Sequence, residues 1–354
     1  MLAAHAKVTA DVDGVAQPVD SPLEWEDVIG LVRPFLAAVR QRLEEQVEDF
    51  EPELVDYARY ALANQGKQLR PALVGLSGEA AGGVRDAHIT VAAIIEMVHL
   101  ATLVHDDVMD DAEIRRQRPT LAHHCGNSTA ILLGDCLFAH ALTLAASFPT
   151  TEVCRRVAQA TKVVCSGEII QTERRCQFEL TRSGYLRILR MKTAELFALS
   201  CGLGAHLTGA APATEAILAD YGMTLGTAYQ VYDDCLDLIG SQSKAGKSLG
   251  TDLLNGKPTL PVIVALERAG AAEAKVLREL LADWRPSNLG LLLTVLQRYD
   301  AVAEAGRAVS GMCQEARTRL QGLPASAARD ALDRAAACLA DNARALTANE
   351  QLVG

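Results

Sequence analysis

Apolar residues recur at three-and-four spacing along most of the chain, the period of a helix with one buried stripe. The segments EWEDVIGLVRPFLAAVRQRLEEQ (24–46), VAAIIEMVHLATLVHDDVMD (91–110), TAILLGDCLFAHALTLAA (129–146), YLRILRMKTAELFALSCGLG (185–204) and ILADYGMTLGTAYQVYDDCLDLIG (217–240) show this stripe or are apolar all round. Helices of the second kind belong inside a bundle. Alternating apolar and polar runs are scarce, and no Asn-Gly or Asp-Gly pair is flanked by them, so strands are not expected. The pattern predicts an all-α protein built as a single large helical bundle. Residues 1–22 carry little periodicity and read as a flexible extension. Residues 23–354 contain no linker good enough to divide them, so they read as one domain.

Composition narrows the partners. With 34 Lys and Arg against 44 Asp and Glu, the net charge is −10, and no basic stripe suits a nucleic acid or an anionic membrane. The nine cysteines follow no metal-site spacing, and an odd number cannot all pair within the chain, which points to a reducing, cytoplasmic location. The N-terminal stretch lacks the basic start and apolar run of a secretory signal. The longest apolar stretches, 90–104 and 131–148, are interrupted by Glu96 and His99 and by Asp135 and His140, so no transmembrane segment is expected.

Two stretches echo each other: LVHDDVMD around Asp106 and QVYDDCLD around Asp233 each place DDxxD at the end of an apolar run. They lie too far apart for a structural repeat. On a helix, Asp106 and Asp110 project side by side, as do Asp233 and Asp237, and such like-charge pairs are unfavourable unless something positive offsets them. A solvated acidic face is the plain alternative for one such run. Two of them, each ending an apolar helix, point instead to Mg²⁺, which binds one or two carboxylates and completes its shell with water and phosphate oxygens.

Cations complement the acids. Lys67 and Arg70 lie three apart in GKQLRP, Arg115 and Arg116 follow the first acidic motif by about one more helical turn, and Gly240–Pro261 spaces Lys244, Lys247 and Lys257 among glycines. Arginine forks match phosphate oxygens and lysine adds a point charge. Singly, each is explained as well by a surface ion pair.

Taken together, the motifs make the chain resemble the trans-polyprenyl diphosphate synthases, which join isopentenyl diphosphate to an allylic diphosphate. The likeness runs from about Leu31 through GKQLRP, EMVHLATLVHDDVMD, the Arg115-Arg116 pair, GDCL at 134–137, GE at 167–168, KTA at 192–194, YQVYDDCLD at 229–237 and GTDLLNGKPTLP at 250–261, all in the family's order. It implies an isoprenoid synthase bundle with a central active-site cavity. It implies that Asp106, Asp110 and Asp233 ligate Mg²⁺, three ions per site, with Asp107, Asp234 and Asp237 in support. Lys67, Arg70, His99 and Arg116 would hold isopentenyl diphosphate, whereas Arg115, Lys192, Thr193, Gln230, Lys247 and Lys257 would contact the allylic diphosphate. His99 taken alone would read as a core histidine. Gln68, Gln117 and Tyr229 stand where relatives often carry other residues, and none removes a phosphate or metal ligand.

The resemblance also implies a homodimer and a reaction in which the allylic C–O bond ionises, isopentenyl diphosphate attacks the cation, and a proton leaves, with the released diphosphate as the family's proposed base. Product length depends on what lies before the first acidic motif. Ala101 and Thr102 occupy the level where farnesyl-forming relatives carry aromatic rings, so a product longer than farnesyl is expected, with geranylgeranyl as the alternative. A class I terpene cyclase would need no second diphosphate site, and the retained Lys67, Arg70, His99 and Arg116 argue against it.

Overall fold

The computed structural model describes residues 25–349 apart from 63–65, 117 and 241–248. The extension expected over residues 1–22 lies outside the described residues, as do Lys244 and Lys247. The chain begins with α1 (Trp25–Ile29), α2 (Arg33–Val47), α3 (Pro52–Leu62), α4 (Leu69–Ala81) and α5 (Asp86–Met109). A short α6 (Leu121–Cys125) leads into α7 (Asn127–Ala146), α8 (Glu152–Glu173), α9 (Arg182–Leu189), α10 (Glu195–His206) and α11 (Pro212–Ile239). Six more follow: α12 (Thr251–Leu254), α13 (Leu260–Arg268), α14 (Ala271–Ala282), α15 (Leu289–Arg298), α16 (Ala301–Leu320) and α17 (Ala327–Asn349).

The bundle is organised around α4, α5, α10 and α11, whose buried faces share one core with α2, α16 and α17. A side-chain carbon on Gly222 of α11 would lie 2.5 Å from the Phe197 carbonyl oxygen of α10, so only glycine lets these two helices approach so closely. The Tyr221 hydroxyl, fully buried, donates to the Leu332 carbonyl at 2.6 Å and ties α11 to α17. At the start of α5, His88 Nδ1 accepts from the Arg85 N–H at 2.9 Å, and Nε2 lies 3.0 Å from the Gly204 carbonyl, fixing α5 against α10.

Three local features depart from the periodicity. The run over 24–46 is broken by a 3₁₀ turn at Gly30–Val32, because Pro34 has no N–H to continue a helix and instead sits in the first turn of α2. The chain after α5 is not another helical turn: Ile114–Arg115 pairs antiparallel with Arg118–Pro119, and Arg116 adopts a positive φ of 51°. The segment 185–204 is two helices joined by a π-helical turn, Arg190–Ala194. By length and composition α5 and α7 would each suffice to cross a bilayer; 72% of the relevant stretch of α5 is buried inside the bundle, against 33% of that of α7.

Candidate active site

The two acidic motifs sit at the ends of core helices α5 and α11. Asp110 is the residue after α5, and its N–H donates to the Asp106 carbonyl at 2.9 Å, so the two carboxylates stay one turn apart as the spacing predicts. Asp107, facing the other way, is buried and accepts from Arg115 Nε at 2.6 Å. Burial nonetheless holds the Asp107 carboxyl above its ordinary range, against the pull of Arg115.

Two lysines from remote segments converge on the first motif. Lys192, in the π-helical turn, pairs with Glu168 and lies 3.6 Å from Asp106 Oδ2. Its approach depends on Gly167, where a side-chain carbon would meet the Lys192 backbone nitrogen at 2.9 Å. Lys257, between α12 and α13, donates to both Asp110 oxygens at 2.9 and 2.7 Å. Burial pushes Asp106 up to about 6, with Lys192 opposing it. For Asp110 burial acts upward too, but the Lys257 charge and hydrogen bonds outweigh it and hold the carboxyl below the usual range.

In the second motif, both Asp234 oxygens are taken by protein donors: the Tyr185 hydroxyl at 2.5 Å and Gln230 Nε2 at 2.8 Å. Gln230 in turn accepts from Thr193 Oγ1 at 2.9 Å, linking α11 to the Lys192 turn. Burial, reinforced by the Asp252 charge, pushes Asp234 up to about 8. Asp237 accepts from the Asp252 N–H at 3.0 Å and holds the turn before α12, while Asp233 is half-buried. Lys192, Lys257, Gln230, Asp234, Asp252 and Tyr185 line one cleft enclosing about 390 Å³, open solvent included.

A separate cationic group lies around His99 on α5. A side-chain carbon on Gly66 would fall 2.3 Å from the Arg116 guanidinium, so this glycine makes room for that arginine. The Arg70 guanidinium lies 5.1 Å from the centre of the Phe197 ring. Burial and then the charges of Arg70, Arg116 and Arg115 push His99 well below the ordinary histidine range, leaving a neutral imidazole among arginines. Lys67 is exposed, and its carbonyl accepts from Trp25 Nε1 at 3.2 Å. Ala101 is fully buried in α5, and Thr102 donates to the His99 carbonyl at 2.6 Å. Lys247 lies outside the described residues.

Carboxylate oxygens at Asp106, Asp110 and Asp233 are a donor set suited to a hard divalent cation. Among the described residues no three His, Cys, Asp or Glu side chains converge into a protein-only shell. Mg²⁺ would complete its shell there with waters and substrate phosphate oxygens.

Several contributors escaped the sequence reading. Arg175 donates to Asp110 Oδ1 at 2.7 Å, and Tyr185 and Asp252 act on Asp234 from other segments. Glu96, buried on α5 and raised by that burial, feels Arg70 and Arg116. Glu168 was visible as part of the GE motif, but its pairing with Lys192 was not.

Comparison with known proteins follows the same lines. The family described as Polyprenyl synthetase matches residues 51–296. The chain is 33% identical over 311 residues to a short chain isoprenyl diphosphate synthase of Methanothermobacter thermautotrophicus, covering 86% of this chain and 96% of the relative. It is 33% identical to the octaprenyl diphosphate synthase of Escherichia coli, covering 72% of this chain and 79% of the relative. The polyprenyl synthase of Caulobacter crescentus, solved in complex with calcium and isoprenyl diphosphate, superposes with a TM-score of 0.85 at 29% identity, covering 91% and 99% of the two chains. The chain belongs to the polyprenyl synthetase family and has its all-α isoprenoid synthase fold.

Proposed function

We propose that the protein is an all-trans polyprenyl diphosphate synthase, a prenyltransferase that condenses isopentenyl diphosphate with an allylic diphosphate. The carrying observation is the convergence of Lys192 and Lys257, each on an aspartate of the first acidic motif, in one cleft with Gln230 and Asp234 of the second. Acids and cations so interleaved serve a diphosphate bound with divalent metal. A single domain from residue 23 onward carries the reaction.

Mg²⁺, held by Asp106, Asp110 and Asp233 in three-ion stoichiometry, would supply charge stabilisation for the leaving diphosphate. Arg115, Lys192, Thr193, Gln230, Lys247 and Lys257 orient the allylic diphosphate, and the cations among them favour ionisation of its C–O bond. Lys67, Arg70 and Arg116 hold isopentenyl diphosphate, with neutral His99 adding a hydrogen bond without further positive charge. Asp107 positions Arg115, and Asp234 positions Gln230. The buried methyl of Ala101, followed by Thr102, leaves the growing chain room beyond farnesyl length.

The reading includes a homodimer, supported by α7, an apolar helix only a third of which is buried, with Ile131 and Leu132 exposed. It includes a cytoplasmic location, supported by nine cysteines that are all free thiols.

Steady-state kinetics test it. Arg70→Ala and Lys67→Ala should raise KM for isopentenyl diphosphate far more than KM for the allylic primer. Consumption of the allylic diphosphate alone, with release of a hydrocarbon, would establish a cyclase instead.

A further inference from the structure

Between α5 and α6 the chain carries Arg115 and Arg116 on a hairpin too small to hold itself. Its ladder pairs Ile114 with Pro119 and Arg115 with Arg118, two residues a side. So short a two-stranded ribbon is not stable alone in water. Asp111 and Arg116 also adopt positive φ, 47° and 51°, which non-glycine residues keep only where their surroundings enforce it. Ile114, Arg118 and Pro119 are exposed, so the hairpin depends on a few directed contacts.

Two of these lie within its own flanks. Asp107 accepts from Arg115 Nε, and Thr120 Oγ1 donates to the Ala112 carbonyl, each at 2.6 Å. The third comes from α3. Tyr60 donates its hydroxyl to the Pro119 carbonyl at 2.8 Å, and the Arg118 guanidinium lies 5.0 Å from the centre of the Tyr60 ring. His124 of α6 stacks on the same ring, 4.8 Å between centres and 7° from parallel. The ring packs against a satellite core of Ala61, Val104, Leu121, Ala130 and Leu133, which ties it to α5, α6 and α7.

We propose that Tyr60 is a positioning residue that clamps the 114–119 hairpin and thereby sets the affinity for both diphosphates. The inference rests on the roles proposed above for Arg115 and Arg116 and deepens them. The hydroxyl fixes the Pro119 carbonyl, and the ring face attracts the Arg118 cation. Because Arg115 pairs with Arg118 across the ladder and Arg116 sits in the turn between them, a displaced second strand moves both arginines. Arg115 keeps its bond to Asp107 when the clamp is lost. Arg116 lies one residue beyond that bond, toward the clamp, so the isopentenyl diphosphate site should suffer more.

The test joins limited trypsin digestion of the full-length protein, read by mass spectrometry at the bonds after Arg115 and Arg116, with steady-state kinetics. Tyr60→Phe, which loses only the hydroxyl, should speed cleavage there about fivefold. Tyr60→Leu loses the ring as well and should speed it by more than about tenfold. The same variant should raise KM for isopentenyl diphosphate about tenfold and KM for the allylic primer about threefold, with kcat changed less than about twofold. Arg118→Leu, which leaves the bonds after Arg115 and Arg116 intact, should fall between wild type and Tyr60→Leu and carries the test if Tyr60→Leu does not fold. Cleavage at the wild-type rate in the folded variants would overturn the clamp. Faster cleavage with both KM values unchanged would overturn its bearing on diphosphate affinity. Digestion needs no turnover, so it decides the clamp even if the wild type makes no prenyl diphosphate.

Discussion

Gly167→Ala is a one-carbon test of how the cleft is assembled. Gly167 on α8 faces the π-helical turn, and an added side-chain carbon would lie 2.8 Å from Met191 Cβ and 2.9 Å from the Lys192 nitrogen. Ordinary contact begins near 3.4 Å, so the turn must retreat by about half an ångström. Such overpacking costs about 1–3 kcal/mol, and the better helix propensity of alanine returns about 1. The stability loss should therefore stay within about 2 kcal/mol in urea unfolding. The same retreat withdraws Lys192, 3.6 Å from Asp106, and Thr193, 2.9 Å from Gln230. Misplacement by 1 Å costs on the order of a hundredfold, so half of that should lower kcat roughly tenfold. KM for isopentenyl diphosphate should hardly move, because Arg70, His99 and Arg116, which we propose hold it, rest on other elements. Gly311→Ala is the control: nothing lies within 4 Å of its added carbon, so it should stabilise by about 0.4–1 kcal/mol with unchanged turnover. A Gly167→Ala enzyme as fast as wild type would refute the close approach of α8 to the lysine turn as a condition for catalysis.

Two further predictions concern the helix that carries the first motif. Ala101→Phe places a ring in a fully buried position, at a strain of about 1–3 kcal/mol. Its products should shorten toward farnesyl length in chromatography of the dephosphorylated lipids; an unchanged distribution at full activity would mean that Ala101 does not border the chain. His99 is held well below the ordinary histidine range by burial and the charges of Arg70, Arg116 and Arg115. The unfolded chain therefore takes up a proton near pH ~6.5 that the folded chain refuses, and this contribution is intact above that pH and lost as pH falls below it. His99→Gln should lessen the drop in urea stability between about pH 7.5 and pH 5.5. An identical drop in both proteins would contradict a neutral His99.

The residues legible beforehand were those whose chemistry is local. Asp106 and Asp110 announce themselves by spacing alone, and so does the break before Pro34 to a reader who weighs its missing N–H. Arg175 does not: in ERRCQ it looks like any solvated basic pair, and its meaning comes from Asp110, 65 residues earlier in the chain. Tyr185 likewise reads as a core aromatic on an amphipathic helix until its hydroxyl is found on Asp234. The turn at Arg116 was hidden for another reason. A positive φ is costly for arginine, so no propensity points to it, and the packing of its guanidinium against Gly66 is visible in the fold alone.

The central claim, that the first acidic motif drives condensation of two diphosphates, is tested most directly by incorporation of labelled isopentenyl diphosphate onto an allylic primer, wild type against Asp106→Ala. Asp106 sits beside Lys192 in the cleft, and its loss should lower incorporation by at least two orders of magnitude, about 10²–10³-fold, with helical circular dichroism intact. Wild-type protein should yield labelled prenyl diphosphates longer than farnesyl, and only when Mg²⁺ is supplied. Near-normal incorporation by Asp106→Ala, or none by the wild type with any allylic primer, would contradict the account.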